Sequence, residues 1–183
     1  MSAKAVMDSS DIERTLRRIA HEILEKNPAP GDCAIVGIHT RGAVLAGRLR
    51  GILSELASEE LPLGEIDISF YRDDINARSS GRQPVVHATR LDFPVDGRTI
   101  ILVDDVLYTG RTVRAGIDAL FDYGRPARIQ LAVLCDRGHR ELPIRPDYVG
   151  KNLPTSPNER VSVELVETDD RDGVSIISPV EAV

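Results

Sequence analysis

Two adjacent carboxylates, Asp104 and Asp105, follow the apolar run Ile100-Ile101-Leu102-Val103. Acids at the end of a buried strand are costly unless a cation or a polyol faces them. Val106-Leu107-Tyr108-Thr109-Gly110-Arg111-Thr112 comes next, and a helix-forming stretch begins there. Thr109, Gly110 and Thr112 at a helix start offer amides and hydroxyls to an anion, which the helix dipole also favours. Carboxylates beside such a cradle suit a sugar phosphate. The acids would bond ribose hydroxyls while the loop holds the 5-phosphate. Alone, an Asp-Asp pair reads as a capped turn with solvated acids. The whole string from Ile100 to Thr112 is far more specific.

A second anion site lies in Gly37-Ile38-His39-Thr40-Arg41-Gly42, between an apolar run and a helix. Glycine permits unusual backbone angles, and a tight turn can aim amides at a pyrophosphate. Arg41 adds a planar fork suited to phosphate oxygens.

These residues need strands to end where they stand. Ala34–Ile38, Thr99–Val103 and Ile129–Leu134 are short apolar runs that read as buried strands. Helices are expected from Ser10, through a Ser10-Glu13 capping box, to about Asn27; from Ala43 to Leu56; and from Thr112 to Tyr123. Ile66, Ile68 and Phe70 alternate with polar residues, as in a half-buried strand. A further strand is expected around Val85–Leu91. The polar stretch 72–84 has no period and reads as a long functional loop. Residues 137–160 read as a Pro- and Arg-rich segment with little regular structure, and 161–177 as a hairpin. The sum is an α/β chain with a mainly parallel sheet flanked by helices, where ligands bind at the carboxyl ends of strands.

The 183 residues are about one domain's worth, and 42% hydrophobic with 28% charged content fits an ordinary globular protein. No apolar run approaches the ~18 residues of a membrane helix, and Met1–Val6 lacks the apolar stretch of a secretory signal. The expected compartment is the cytosol. Cys33 and Cys135 have no metal-ligand spacing and read as buried thiols. Net charge is −6, but Val161–Val183 holds six acids and one Arg, so the remaining 160 residues carry only −1. A local basic patch is compatible with that body.

The string Asp104–Thr112, together with Tyr71-Arg72-Asp73-Asp74, Asp136-Arg137-Gly138-His139-Arg140-Glu141-Leu142-Pro143-Ile144-Arg145 and Val149–Thr155, resembles the PyrR family. These are bacterial bifunctional proteins, regulators of pyrimidine operons and uracil phosphoribosyltransferases with the type I phosphoribosyltransferase fold. The resemblance runs from Lys4 to about Val166. It implies one domain over 1–183, with a small hood at about 137–160 and a C-terminal hairpin. It implies transfer of phosphoribosyl from phosphoribosyl pyrophosphate (PRPP) to uracil, giving UMP and pyrophosphate, with Mg²⁺ carried on PRPP and no metal site of the protein's own. It also implies binding of an mRNA stem-loop, strengthened by UMP or UTP, so that transcription terminates. The expected assembly is a homo-oligomer.

Carried over by position, Thr40 and Arg41 would face pyrophosphate. Asp104 and Asp105 would hold the ribose, and Val106, Leu107, Tyr108, Thr109, Gly110, Arg111 and Thr112 would line the 5-phosphate. Arg137 and the backbone near Val161 would face the base, and Arg82 would sit on the closing loop. RNA contacts would map to His21, Arg140, Arg145 and Lys151. Aromatic content is only 4%, so RNA binding would lean on phosphates and loop shape. The competing reading is a plain salvage phosphoribosyltransferase without an RNA role, with purines among its candidate bases. Against it, purine enzymes of this class usually carry an acid where Tyr108 stands.

Overall fold

A computed structural model describes residues 2–69, 71 and 88–179. Helix α1 (Ser9–Lys26) turns Ile12, Leu16, Ile19 and Ile23 inward, as their spacing predicts. Its cap is Asp8 rather than Ser10. The Asp8 carboxylate accepts from Asp11 N at 2.8 Å, and Asp8 N donates to the Asp11 carboxylate at 3.1 Å. That closes the box two residues earlier than expected.

Among the described residues, five strands form the central sheet. They are β2 (Cys33–Ile38), β3 (Leu63–Ile66), β4 (Thr99–Leu107), β5 (Arg128–Asp136) and β6 (Tyr148–Asn152), in the order β3-β2-β4-β5-β6, all parallel. All six residues of β2 are buried, the mark of a strand covered on both faces. Alternation sorts the core into two layers. Ile35, Ile101, Val103 and Leu134 pack with α1 and with α2 (Arg41–Ala57). Val36, Ile100, Leu102 and Val133 pack with α3 (Arg111–Phe121).

The chain leaves β2 for β3 on one side and leaves β4 for β5 on the other. The carboxyl ends of β2 and β4 therefore flank the crevice where open α/β sheets bind ligands. Both candidate anion loops emerge there.

A separate antiparallel sheet, order β1-β8-β7, joins β1 (Ser2–Met7), β7 (Arg160–Glu164) and β8 (Gly173–Ser178). A short helix, α4 (Val166–Asp169), links β7 to β8. The expected C-terminal hairpin is present, and the N-terminal strand extends it.

Several expectations need correction. Residues 67–69 of the alternating segment are not a strand, and Phe70 lies outside the described residues. Asp67 accepts from Ser69 N at 2.8 Å and from the Ser69 hydroxyl at 2.5 Å, a side-chain turn that ends β3. Residues 137–160 are not all irregular, because Tyr148–Asn152 pairs with β5 as the sheet's fifth strand. The stretch 72–84, with Arg82, and Val85–His87 of the expected Val85–Leu91 strand lie outside the described residues. Arg90 makes a single antiparallel bridge with Glu65.

Candidate active site

β4 runs four residues further than its apolar core suggests. Its ladder with β5 continues to Leu107 opposite Asp136, so both acids sit within the strand. Asp104 is buried at 6% exposure and Asp105 is half-buried. Asp104 Oδ1 accepts from Asp105 N at 2.9 Å, and Asp105 Oδ1 accepts from Val106 N at 2.7 Å. Burial pushes the Asp105 carboxyl up, while the Val106 amide, the Asp104 side chain and the Arg41 charge pull it back.

The loop after β4 enters α3 through Gly110 in the left-handed region at φ 94°. Glycine is required at that junction. Thr109 Oγ1 accepts from Arg111 N at 3.3 Å, shaping the turn. A cavity of about 860 Å³ opens here, its wall including Asp104, the run Val106–Val113, Arg137, Glu141, Glu159 and Arg160. Helix-start amides, hydroxyls and Arg111 make this end an anion cradle.

The opposite wall carries a buried cation. Arg137 is 7% exposed. It donates to Thr155 Oγ1 at 3.2 Å and to the Ser156 carbonyl at 3.3 Å. Its guanidinium lies 4.1 Å from the Tyr108 ring centroid, a cation–π contact. Tyr108, 39% exposed, also meets His139 edge to face at 6.1 Å. A flat, half-exposed ring beside fixed N–H donors is a shelf for a planar base. Val161 packs against the core, and its neighbours Glu159 and Arg160 line the cavity.

The other loop adjoins this cavity by close backbone approach. A β-carbon on Gly42 would lie 2.6 Å from the Val103 carbonyl and 3.1 Å from Asp104 Cα. A β-carbon on Gly37 would meet Ala43 Cα at 2.4 Å. Neither glycine has positive φ, so their role is contact rather than unusual angles. Thr40 is exposed, and the His39–Thr40 peptide is cis. Arg41 is bound bidentately by Asp169, at 3.1 Å and 2.6 Å. The Arg41 fork, then the Thr168 hydroxyl and the Leu165 amide, hold the Asp169 carboxyl down to about 2.

Comparison with known proteins places this geometry. The phosphoribosyl transferase domain model matches residues 2–168. A bifunctional protein PyrR of Roseiflexus sp. (strain RS-1) is 57% identical over 178 residues, covering 97% of this chain and 96% of that one. One of Deinococcus radiodurans is 57% identical over 174 residues, covering 95% and 94%. The chain belongs to the PyrR family. Among solved structures, a hypoxanthine phosphoribosyl transferase of Trypanosoma cruzi aligns with TM-score 0.72 at 19% identity, covering 96% of this chain and 91% of that one. A hypoxanthine-guanine enzyme of Bacillus anthracis aligns with TM-score 0.71 at 16% identity, covering 95% and 98%. At that distance the likeness shows the type I phosphoribosyltransferase fold alone.

The basic residues expected at an RNA face of a PyrR protein fall into two groups. His21 and Arg145 are exposed. Lys151 is exposed on edge strand β6 and donates to the Val6 carbonyl at 2.8 Å. Arg18 on α1 reaches the Val149 and Gly150 carbonyls at 3.0 Å and 2.6 Å, so α1 and β6 form one surface. Arg140 is different. It bonds the Asp136 carboxylate at 2.5 Å, and the Ile144 and Tyr108 carbonyls at 3.0 Å each. Glu141 N and Leu142 N bond the Thr109 carbonyl at 3.0 Å and 3.1 Å, and Arg111 pairs with Glu141 at 2.7 Å. The segment carrying Arg140 is docked onto the candidate phosphate loop.

Sequence reasoning missed Glu141, Glu159 and Arg160 in the cavity wall, and Thr155 and Ser156 behind Arg137. It missed Asp169 as well. Only folding brings these distant charges and hydroxyls to the loop.

Proposed function

We propose that the protein transfers phosphoribosyl from PRPP to uracil and that it regulates a pyrimidine operon through nucleotide-dependent binding of an mRNA stem-loop. One observation carries the reading: a single cavity joins a buried carboxylate, a helix-start anion cradle and the Arg137–Tyr108 shelf. In the proposed cycle the cradle at Tyr108–Thr112 holds the 5-phosphate. Asp104 and Asp105 bond the ribose hydroxyls. Thr40 and Arg41 hold the pyrophosphate, and Arg137 donates to the uracil edge. As the bond to pyrophosphate lengthens, positive charge grows on the sugar ring. The fixed carboxylates stabilise that charge where water is excluded. Arg82, outside the described residues, is proposed to act on the transition state.

Among the described residues no group of three or more His, Cys, Asp or Glu is arranged to hold a metal. The donor set fits Mg²⁺ that arrives on the pyrophosphate and keeps several waters, with Asp104 and Asp105 as the nearest carboxylates. Bound there, it would neutralise charge on the leaving pyrophosphate.

The regulatory half rests on the docking of the 138–145 segment onto the phosphate loop. A nucleotide in the cradle touches the loop that holds Arg140, so its occupancy is felt at the basic face. Arg140 bonds the Tyr108 carbonyl as well as standing at the expected RNA face, so Arg140→Ala should weaken both activities. Arg145 is exposed and outside the cavity wall. Arg145→Ala should weaken RNA binding and leave uracil transfer unchanged. If Arg145 meets a phosphate of a single-stranded loop, the plot of log affinity against log salt should become shallower by about 0.7. UMP should tighten RNA binding, and RNA should tighten UMP binding by the same factor. No UMP-dependent gain, together with parental RNA binding by Arg145→Ala, would overturn the regulatory half.

A further inference from the structure

The acidic end of the chain has a place in the fold that the transfer cycle above does not use. Between β7 and β8 the chain carries Glu167, Asp169 and Asp172 against α2. Arg48 is clasped by Glu167 at 2.8 Å and 2.5 Å and by Asp172 at 2.8 Å through two nitrogens. Arg41 is two turns earlier on the same helix face, and there Asp169 takes its Nε and Nη2. The acidic turn therefore lies along α2 and ends at the loop leaving β2.

We infer that Asp169 is a positioning residue for Arg41, holding its guanidinium ready for the pyrophosphate of PRPP; this rests on the transferase reading above. The Asp169 carboxylate is itself fixed. Beside Arg41 it accepts from Leu165 N at 3.0 Å and from the Thr168 hydroxyl at 2.7 Å, while its own amide donates to the Leu165 carbonyl at 2.7 Å. A guanidinium has five N–H donors in one plane, so the two given to Asp169 leave three for an anion. Arg41 also acts on Asp105, which places its charge within reach of the acid pair.

Two effects of Asp169 oppose each other. Its charge repels an incoming polyanion. Its clasp removes the rotamer freedom that Arg41 would otherwise lose on binding. The carboxylate's charge is shared with the Leu165 amide and the Thr168 hydroxyl, which blunts the repulsion. Ordering therefore prevails, and removing the carboxylate weakens PRPP binding.

The test is steady-state kinetics with calorimetry of Mg²⁺-pyrophosphate binding to the full chain. Asp169→Asn and Asp169→Ala should each raise KM for PRPP about three- to ten-fold. They should change kcat less than about two-fold, leave KM for uracil as it was, and weaken pyrophosphate binding by the same factor as KM. Asp169→Glu should recover part of the loss. In an Arg41→Ala background, Asp169→Asn should add nothing. Glu167→Gln loosens the same turn without touching Arg41 and should leave KM for PRPP unchanged. The inference is overturned by an unchanged or lowered KM in Asp169→Asn, by additive effects with Arg41→Ala, or by an equal rise in Glu167→Gln. A failure of the transferase reading looks different: the parent protein itself would neither turn over PRPP nor bind pyrophosphate.

Discussion

Replacing Asp104 and Asp105 together by asparagine should abolish transfer in a protein that still folds. Asparagine keeps the shape of aspartate and an oxygen for the backbone bonds now made to Asp105 N and Val106 N. What it removes is charge. Burial already pushes the Asp105 carboxyl up, so a charge there is held at a cost to stability. The double variant should be at least as resistant to unfolding as the parent, the usual trade between stability and function at such sites. The lost stabilisation of a developing cation is worth about 10²–10³ in rate for one well-placed group. With both charges gone, kcat/KM should fall by that much or more, and the loss should appear in kcat as well as KM. Thermal unfolding and initial rates measured on the same sample decide the matter. A folded double variant with parental turnover would remove the acids from the mechanism.

Gly42→Ala should be nearly as damaging for a different reason. Its methyl group would sit 2.6 Å from the Val103 carbonyl and 3.1 Å from Asp104 Cα, and these two nearest neighbours are backbone. Val103 is buried in β4, opposite Gly37 of β2, and cannot yield without disturbing the sheet. The start of α2 must move instead, carrying Thr40 and Arg41 away from Asp104. Overpacking of this kind costs about 1–3 kcal/mol. For a chain of this size that is a fall in Tm of about 2–4 °C per kcal/mol. A displacement near 1 Å in a reacting site costs on the order of 10²-fold in rate. Gly47→Ala is the internal control. It lies in the same helix with nothing within 4 Å of a new β-carbon, and should stabilise the protein by about 0.5–1 kcal/mol. If Gly42→Ala kept full activity and Tm, the close approach of the two loops would not matter to function.

The parts of this molecule that were legible in its sequence are those governed by local periodicity and by residues that act near their own position. Ile12, Leu16, Ile19 and Ile23 announce α1, and Ile100–Val103 announces the strand beneath the acids. The candidate cradle at Thr109–Thr112 is contiguous, so the chemistry proposed for it could be framed before its geometry. What stayed hidden depends on distant partners. Ser2–Met7 carries almost no buried surface, and it is a strand only because β8 offers it a ladder. Tyr148–Asn152 sits in a polar, Pro-rich stretch and becomes a strand by pairing with β5. Asp104 and Asp105 were expected beyond the strand because charge seldom continues a buried ladder, yet β4 pairs on to Leu107. Arg140 was expected at an RNA face, and its three partners within the fold, which tie it to the loop after β4, carry no local signal. The bond from Arg41 to Asp169 spans 128 residues, and no local pattern encodes it.

The most direct test of the account is a base-competition assay. The protein is incubated with PRPP, Mg²⁺ and an equimolar mixture of uracil, hypoxanthine and guanine, and the nucleotide products are separated. The account predicts UMP with one pyrophosphate released per UMP, and no purine nucleotide above background. Formation of IMP or GMP in place of UMP, or no nucleotide at all from a folded protein, would contradict it.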